Sequence, residues 1–255
     1  MIEKVVIKDN KKTPIKYLSD LKSFKNGTEY IFKPGVNVII GENGCGKTTL
    51  MNLIRAYLVV GLDECDKGEY NHNINKLFRS FMERDELLDG ADVYADYERN
   101  TFRFCHLGEK TNDDLKTFND FGIFFEQKHA STGEGVRMAL AALFEKMFSK
   151  DAKLTYDYSQ FEKYSSAYTD YINSHKVKGD EWTILMDEPD RNLDIEVIEE
   201  IKGILSFHKP HTQIIAVVHN PLLIYSLSNN PDVNLIEMTK GYAKKVRKVV
   251  DELLK

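Results

Sequence analysis

The stretch VIIGENGCGKTTLMNLI, residues 38–54, decides the fold of this chain. It opens with an apolar run, continues through three glycines within six residues, and ends in Lys47, two threonines and a segment with helical periodicity. The spacing matches Gly-x4-Gly-Lys-Ser/Thr at every specified position, with a strand-like run before the motif and a helix-like run after it. Motif and context agree, so the pattern predicts a phosphate-binding loop rather than a plain glycine-rich turn.

Each part of this loop has a chemical role in holding phosphate. Glycine lets the backbone curl so that several N–H groups point inward, and the helix that follows adds the positive end of its dipole. Lys47 is expected to reach the β- and γ-phosphates, and the hydroxyl of Thr48 is expected to bind Mg²⁺. The predicted nucleotide-binding residues are Gly41, Glu42, Asn43, Gly44, Cys45, Gly46, Lys47, Thr48 and Thr49.

Size and composition indicate an ordinary soluble globular protein. The chain has 255 residues, of which 42% are hydrophobic and 29% charged, so it can bury the core of one large α/β domain. It has no apolar run of 18 residues and no apolar signal segment at its start, so we expect a cytoplasmic protein without a membrane partner. The three cysteines lack metal-binding spacing; Cys45 is interpreted as a small tolerated residue, with a redox-sensing thiol as the alternative.

The charge pattern argues against nucleic-acid binding over the whole surface, because the net charge is −5. Lysines nevertheless outnumber acids eight to four in residues 1–40, and basic residues outnumber acids six to two in residues 238–255. Solvated faces account for this pattern, and a DNA-facing side is the alternative.

Apolar runs elsewhere predict an α/β core. Residues 4–9 and 28–40 are typical of β-strands, and residues 91–107 alternate about a polar centre as in a β-hairpin. Residues 182–188 and 212–219 are short apolar runs of the kind that form buried parallel strands. The intervening run DIEVIEEIKGILSFHK has apolar side chains at helical spacing, as expected of a crossover helix. We therefore predict a mostly parallel, doubly wound α/β core with an antiparallel β portion.

Other stretches are predicted as helical or inserted parts of a single domain, residues 1–255. Residues 133–150 predict a helix with one buried face. Two stretches are expected to stand outside the core, an inserted lobe at residues 60–125 and a tyrosine-rich insertion at residues 151–181. Aromatic residues in the second insertion recur at near-helical spacing, which indicates core packing, with a partner-binding face as the alternative.

Two acidic residues follow one of the buried strands directly. Asp187 and Glu188 end the apolar run, and the carboxyl ends of parallel strands are where α/β proteins bind ligands. Asp187 suits a Mg²⁺ role that complements Thr48, and Glu188 is placed to polarise an attacking water. His219 ends the next apolar run, where it is either a structural residue or a donor near the γ-phosphate. Because a phosphate loop precedes them, the paired acids favour nucleotide hydrolysis over a surface turn.

Together these motifs resemble those of the ATP-binding-cassette (ABC) ATPase superfamily. Residues 41–48 resemble its Walker A motif, residues 185–188 the end of Walker B, and residues 191–194 (RNLD) its D-loop, while His219 lies where the switch histidine belongs. Residues 130–134 (ASTGE) resemble the LSGGQ signature; a serine with a glutamate three residues later is also a capping box, which would be purely structural. The residues concerned are Ser131, Gly133 and Glu134 in the signature, Arg137 after it, and Asn192 and Asp194 in the D-loop.

The resemblance implies a P-loop NTPase fold of the ABC-head type, with ATP as substrate and Mg²⁺ as cofactor. The implied catalytic residues are Glu188, His219 and Lys47, and the implied metal ligands are Thr48 and Asp187. It further implies a head-to-tail homodimer with two ATP molecules, each between the Walker A motif of one subunit and the signature of the other. Ser131 and Gly133 would then act in trans, and Asp194 would link the two sites.

Departures from the transporter pattern narrow the resemblance. Transporter subunits carry a glutamine loop midway between Walker A and signature, but no glutamine lies between Lys47 and Glu126, and Gln127 is only four residues before Ser131. The 56 positions from Ser131 to Asp187 exceed the usual transporter spacing. The chain looks more like the soluble AAA-type, RecF- and SMC-like ATPases of DNA repair and anti-phage defence.

That branch implies an ATP-driven switch that controls a separate effector protein, with DNA as a further candidate partner. Two alternatives stay open, because fold and ATPase chemistry do not choose the process. One is the nucleotide-binding subunit of a transporter. The other is a slow ATP-switch scaffold that binds its effector through residues 151–181.

Overall fold

The structure is a computed structural model that describes residues 1–58, 89–95, 100–106, 181–190, 195–206 and 211–254. In chain order, the elements of these ranges are β1 (Ile2–Ile7), a 3-10 helix (Leu18–Asp20), β2 (Glu29–Ile31), β3 (Gly35–Ile40), α1 (Lys47–Leu58), β4 (Ala91–Ala95), β5 (Asn100–His106), β6 (Glu181–Asp187), α2 (Ile195–Leu205), β7 (Thr212–Val217), α3 (Pro221–Leu227), β8 (Val233–Glu237) and α4 (Tyr242–Leu253). Among them, no helix combines the length and the apolarity that a membrane span requires.

Five parallel strands form the main sheet, in the order β5-β6-β7-β3-β8. Strands β3 and β7 are buried along their whole length, as expected of central strands covered on both faces. Their sequences, GVNVII and TQIIAV, contain the β-branched residues that pack well on a pleated surface. The prediction of a parallel α/β core is confirmed, and the arrangement is compatible with a P-loop NTPase fold.

A smaller antiparallel sheet has the order β2-β1-β4. It confirms the predicted antiparallel portion, but the predicted hairpin over residues 91–107 is wrong. Strand β4 pairs with β1, whereas β5 pairs in parallel with β6 at the edge of the main sheet. Alternating polarity marks a strand without specifying its partner, so the pattern located both strands and missed their pairing. The expectation that residues 60–125 stand outside the core therefore fails for these two strands.

Two hydrophobic clusters cover the two faces of the main sheet. On one face, Leu50 and Leu53 of α1 pack in a cluster with Ile39 of β3 and with residues of the antiparallel sheet. On the other face, α2, α3 and α4 contribute side chains such as Ile201 and Leu223. Helices on both faces of a parallel sheet are the layering of a doubly wound fold.

The predicted crossover helix is confirmed as α2. Its residues Ile198, Ile201 and Leu205 are buried at helical spacing, as the sequence pattern predicts. Ile195, another apolar residue of this run, lies in the first turn of the helix and is exposed.

A buried glutamine joins the two sheets. Gln213 Oε1 accepts hydrogen bonds from Ile2 N at 2.8 Å and from Thr183 Oγ1 at 3.2 Å. Its Nε2 donates to Ile2 O at 2.8 Å and to Lys33 O at 2.9 Å. Both amide donors and the amide oxygen are thus used, which fixes β1 against the main sheet.

The remaining predicted parts lie outside the described residues. These are the helix at residues 133–150, the tyrosine-rich insertion at residues 151–181 except for Glu181, which begins β6, and the greater part of the lobe at residues 60–125. They, and the assignment of the chain to a single domain, stay predictions.

Candidate functional site

The carboxyl ends of three neighbouring strands carry the predicted site. Strand β3 leads into the phosphate loop, β6 ends at Asp187, and β7 is followed closely by His219. The sheet order places β6, β7 and β3 side by side. Parallel strands bring their carboxyl ends to one edge, where α/β proteins bind ligands. The structure therefore brings together residues that are far apart in the sequence.

The phosphate loop curls through left-handed glycine conformations. Gly44 and Gly46 have φ angles of 77° and 99°, a region that glycine adopts without steric cost. At Gly46 a Cβ would also lie 2.6 Å from Cε2 of Phe24 and 3.0 Å from Cδ1 of Leu21. Glycine therefore lets the loop lie directly against this apolar pair, and α1 begins at the next residue.

The Lys47 side chain is buried beneath the loop. Its Nζ donates to Gly41 O at 2.8 Å and to Glu42 O at 3.1 Å. An ammonium group has three donors, and these two carbonyl groups use two of them. The positive charge is therefore held at the floor of the loop, where it can meet an anion.

Thr48 and Asp187 meet across the site. Thr48 Oγ1 donates to Asp187 Oδ1 at 3.3 Å. Burial, followed by the nearby charge of Glu188, raises the pKa of Asp187 to about 6, against the opposing effects of Arg55, Thr48 and Lys47. A buried carboxylate with a raised pKa is one whose charge lacks compensation in the protein alone.

This pair of oxygens fits Mg²⁺. The ion is usually held by one or two protein oxygens together with waters and substrate phosphates, rather than by a cage of side chains. Within the described ranges, no group of three or more His, Cys, Asp or Glu residues gathers as a metal cage. A hydroxyl and a carboxylate beside a phosphate loop are therefore the donors that Mg²⁺ prefers.

Glu188 and His219 face each other at the mouth of the site. His219 Nε2 lies 3.2 Å from Glu188 Oε1, with 35% and 21% of the two side chains exposed. Glu188 has a φ of 50°, an uncommon left-handed conformation for a residue with a side chain. Its N–H donates to Val217 O in β7 at 3.1 Å, which anchors the turn. The predicted base and the predicted switch histidine are thus close enough to interact.

A cavity of about 590 Å³ connects these groups. Its size is typical of pockets that take a small-molecule ligand. The lining residues are Tyr17, Leu21, Asn43, Gly44, Gly46, Lys47, Thr48, Thr49, Glu188 and His219.

Tyr17 and Leu21 were missed by the sequence analysis. Tyr17 has 48% of its surface exposed although it is aromatic, and it forms a wall of the cavity on the side of the phosphate loop. An aromatic face beside a phosphate site is suited to stacking on a base. The position of Tyr17 upstream of the loop carries no motif, so only the fold reveals its place.

Cys45 packs within the loop. A Cβ on Gly41 would lie 2.6 Å from Cys45 Sγ, so the two residues approach closely because the first is glycine. Ser23 Oγ donates to the carbonyl oxygen of Cys45 at 2.5 Å. These contacts agree with a small side chain at this position, and the redox alternative stays untested.

The segment that joins β8 to α4 contacts the phosphate loop from outside. Glu42 N donates to Thr239 Oγ1 at 3.2 Å, and Lys245 Nζ lies 2.8 Å from Glu42 Oε1. Hydrogen bonding to Lys245 lowers the pKa of Glu42. The side chain of Glu42, at an unspecified position of the motif, therefore ties the loop to α4.

Several predicted site residues lie outside the described residues and stay predictions. They are the signature residues Ser131, Gly133 and Glu134, the basic residue Arg137, the glutamine-loop candidate Gln127, and the D-loop residues Asn192 and Asp194. The trans role of the signature depends on them.

Comparison with protein families finds a match that includes the phosphate loop. A family model described as an AAA domain matches residues 17–80, which include Tyr17, the phosphate loop and α1. A comparison with curated proteins finds no match to this chain. Over residues 17–80 the chain is similar to AAA-type ATPases, which supports nucleotide binding at the phosphate loop.

Proposed function

We propose that this protein binds ATP with Mg²⁺ in the cavity and hydrolyses it to ADP and phosphate. The observation that carries the proposal is the convergence of three strand ends at one edge of the sheet. Lys47, Thr48, Glu188 and His219 line one cavity there, and Asp187 is hydrogen-bonded to Thr48. The match to an AAA domain over residues 17–80 supports the same conclusion.

In the bound state, the base stacks on Tyr17 and the phosphates lie in the loop. Backbone N–H groups and the start of α1 attract the negative charge of the phosphates. Lys47 sits at the floor of the loop and neutralises charge on the β- and γ-phosphate oxygens.

Thr48 and Asp187 would hold the Mg²⁺ ion. When bound, Mg²⁺ neutralises charge that develops on the phosphate oxygens. The hydrogen bond between Thr48 Oγ1 and Asp187 Oδ1 keeps the two donor groups together.

Glu188 acts as the base in hydrolysis. A water positioned by Glu188 attacks the γ-phosphorus and gives a proton to the carboxylate, while the bond from the γ-phosphorus to the β–γ bridging oxygen breaks and ADP leaves with the electron pair. His219 Nε2, 3.2 Å from Glu188 Oε1, orients the carboxylate. Donation from Nε2 to the γ-phosphate would replace that contact, because the nitrogen carries one hydrogen.

The dimer and the biological role rest on the resemblance to ABC ATPases. We propose that ATP closes two chains head to tail, with Ser131 and Gly133 of each completing the site of the other. The closed dimer then controls a separate effector protein or a DNA substrate, in DNA repair or anti-phage defence.

Phosphate release and nucleotide binding, measured together, test the catalytic proposal. Lys47→Ala should abolish binding of a fluorescent ATP analogue, whereas Glu188→Gln should keep binding and lower turnover by about 100-fold or more. Lys248→Ala is the control, because Lys248 is exposed on α4 and pairs with Glu252. Binding without turnover in the wild type would refute hydrolysis, and unimpaired binding by Lys47→Ala would refute the assigned site.

Sedimentation of Glu188→Gln with ATP tests the dimer. We expect an ATP-dependent dimer that Ser131→Ala weakens. A monomer at high protein concentration would refute the arrangement in trans. Stimulation of turnover by double-stranded DNA, weakening steeply with salt, would assign a DNA substrate, and its absence would assign a protein effector.

A further inference from the structure

A buried carboxylate links the two loops that carry Glu188 and His219. Asp190 has only 6% of its surface exposed and follows Glu188 by two residues. Its Oδ2 accepts a hydrogen bond from His219 N at 2.7 Å and another from Asn220 N. These two hydrogen bonds to one carboxylate oxygen connect the segment after β6 to the segment after β7.

The hydrogen bonds to Asp190 lie beyond the ends of the paired strands β6 and β7. The ladder between β6 and β7 ends at the pairing of Asp187 with Val217. Beyond it, the backbone bonds from Glu188 N to Val217 O and from Val218 N to Ile39 O extend the network by one residue on each side. The backbone N–H of His219 then donates the next hydrogen bond, to Asp190 Oδ2.

We infer that Asp190 is a positioning residue that holds His219 against Glu188, a role that rests on the proposed hydrolysis of ATP. Charge-assisted bonds from a carboxylate to backbone N–H groups are roughly twice as strong as neutral ones, and a buried site strengthens them further. The 3.2 Å contact between His219 Nε2 and Glu188 Oε1 is set by how the two loops lie relative to each other. Asp190 acts on that relation through the backbone of His219 and Asn220 and does not itself line the cavity.

The role differs from capping the helix that follows. Helix α3 has its own cap, because the Asn220 side chain accepts from Leu222 N at 2.9 Å and from Leu223 N at 3.3 Å. Asn220→Ala removes that cap and leaves the contacts of Asp190 in place. It is therefore the matched control, since it weakens the same loop without separating it from β6.

The second oxygen of Asp190 predicts which replacement is tolerated. Oδ1 is buried and takes no hydrogen bond in the part of the chain that the structure describes, so Oδ2 makes both contacts. Asparagine keeps one acceptor oxygen of the same reach. Asp190→Asn should therefore retain most of the positioning, whereas Asp190→Ala should lose it.

Steady-state ATP hydrolysis by the full chain tests this inference. Asp190→Ala should lower kcat by about 10- to 100-fold, because small misplacements of catalytic groups cost that much. The KM for ATP and the affinity for a fluorescent ATP analogue should change less than about two-fold, since Lys47 and the phosphate loop are untouched. Asp190→Asn should restore most of kcat, and Asn220→Ala should leave kcat within about two-fold of the wild type.

A double-mutant cycle shows whether Asp190 acts through His219. In a His219→Ala background, Asp190→Ala should cause no further loss beyond about two-fold, because the residue it positions is gone. An equal loss in both backgrounds would overturn the inference. A change in KM alone would also overturn it. If Asp190→Ala does not fold, Asp190→Glu replaces it in the cycle, because the longer side chain displaces the loop and keeps the charge.

A spectroscopic measurement separates this inference from the proposed function. The histidine ring signals of the nucleotide-free protein are recorded by ¹H–¹³C NMR, and the His219 signal is assigned by its absence in His219→Ala. That signal should move or broaden in Asp190→Ala and keep its position in Asp190→Asn. An unchanged His219 signal in Asp190→Ala would refute positioning. Absence of ATP turnover in the wild type would instead refute the proposed function.

Discussion

Replacement of Gly46 by alanine should destabilise the protein more than the same change at Gly44. Both glycines have left-handed φ angles, 99° and 77°, so the backbone strain of an alanine is similar at the two positions. They differ in their surroundings. A Cβ at Gly46 would overlap Phe24 and Leu21, whereas a Cβ at Gly44 would meet nothing within 4 Å.

The magnitudes follow from these two contributions. A left-handed conformation costs an alanine about 1–2 kcal/mol relative to glycine. Forcing an extra methyl group into a packed site costs about 1–3 kcal/mol more. Phe24 is fully buried, so the ring that lies 2.6 Å from the added Cβ has little room to move. We expect Gly46→Ala to lose about 2–5 kcal/mol of unfolding free energy, and Gly44→Ala to lose about 1–2 kcal/mol.

Urea unfolding, followed by circular dichroism, measures both losses, and a fluorescent ATP analogue measures their effect on binding. Phe24 and Leu21 belong to the segment that also carries Tyr17, so displacing them should shift a wall of the cavity. Gly46→Ala should therefore weaken nucleotide binding as well as stability. Equal losses of stability at the two positions would refute the reasoning, because strain alone would then explain both.

Three further changes test other parts of the structure. Gln213→Ala leaves the N–H and the carbonyl of Ile2 and the carbonyl of Lys33 without their amide partner. Urea unfolding should therefore show that the free energy of unfolding falls by about 3–5 kcal/mol. A loss below about 1 kcal/mol would contradict the role of Gln213 in joining the two sheets. Asp187→Asn should stabilise the Mg²⁺-free protein, because burial raises the pKa of the wild-type carboxyl group to about 6 in the folded state, against 3.8 in the unfolded chain. The wild-type carboxylate therefore destabilises the fold above pH 6 and has no such effect below pH 4. In thermal unfolding, the advantage of the variant should be about 3 kcal/mol at pH 7 and should vanish at pH 4. Lys245→Met should weaken ATP binding about two- to five-fold at low salt, because it removes the ion pair between Lys245 and Glu42. The effect should be smaller at high salt, because salt screens the attraction between these exposed charges. An effect independent of salt would contradict the role of charge.

Much of the site could be predicted because local chemistry determines it. Glycines at fixed spacing, a lysine and a hydroxyl specify a phosphate loop by their own conformations and donors. Asp187 and Glu188 stand at the end of an apolar run, and parallel strands bring such ends together. The same reasoning locates His219. The structure brings these residues together because each is adjacent in sequence to the strand that positions it.

The misses have the opposite character, because each depends on partners that are distant in sequence. Strand β4 pairs with β1, and β5 pairs with β6. These pairings depend on which sheet edges are open, and the alternating pattern of residues 91–107 does not indicate that. Tyr17 lines the cavity because the chain folds back over the phosphate loop, and no sequence motif predicts this position.

Asp190 illustrates how the two kinds of information combine in the candidate site. The sequence indicates that Glu188 and His219 take part, since each follows its own buried strand. The sequence does not indicate the distance between the two side chains, because both lie beyond the last strand pair, Asp187 with Val217. Beyond that pairing, the carboxylate of Asp190 connects the two loops through the backbone N–H groups of His219 and Asn220. A phosphate loop with two paired acids therefore predicts the chemistry, whereas the proposed positioning by Asp190 depends on a contact that forms only after folding.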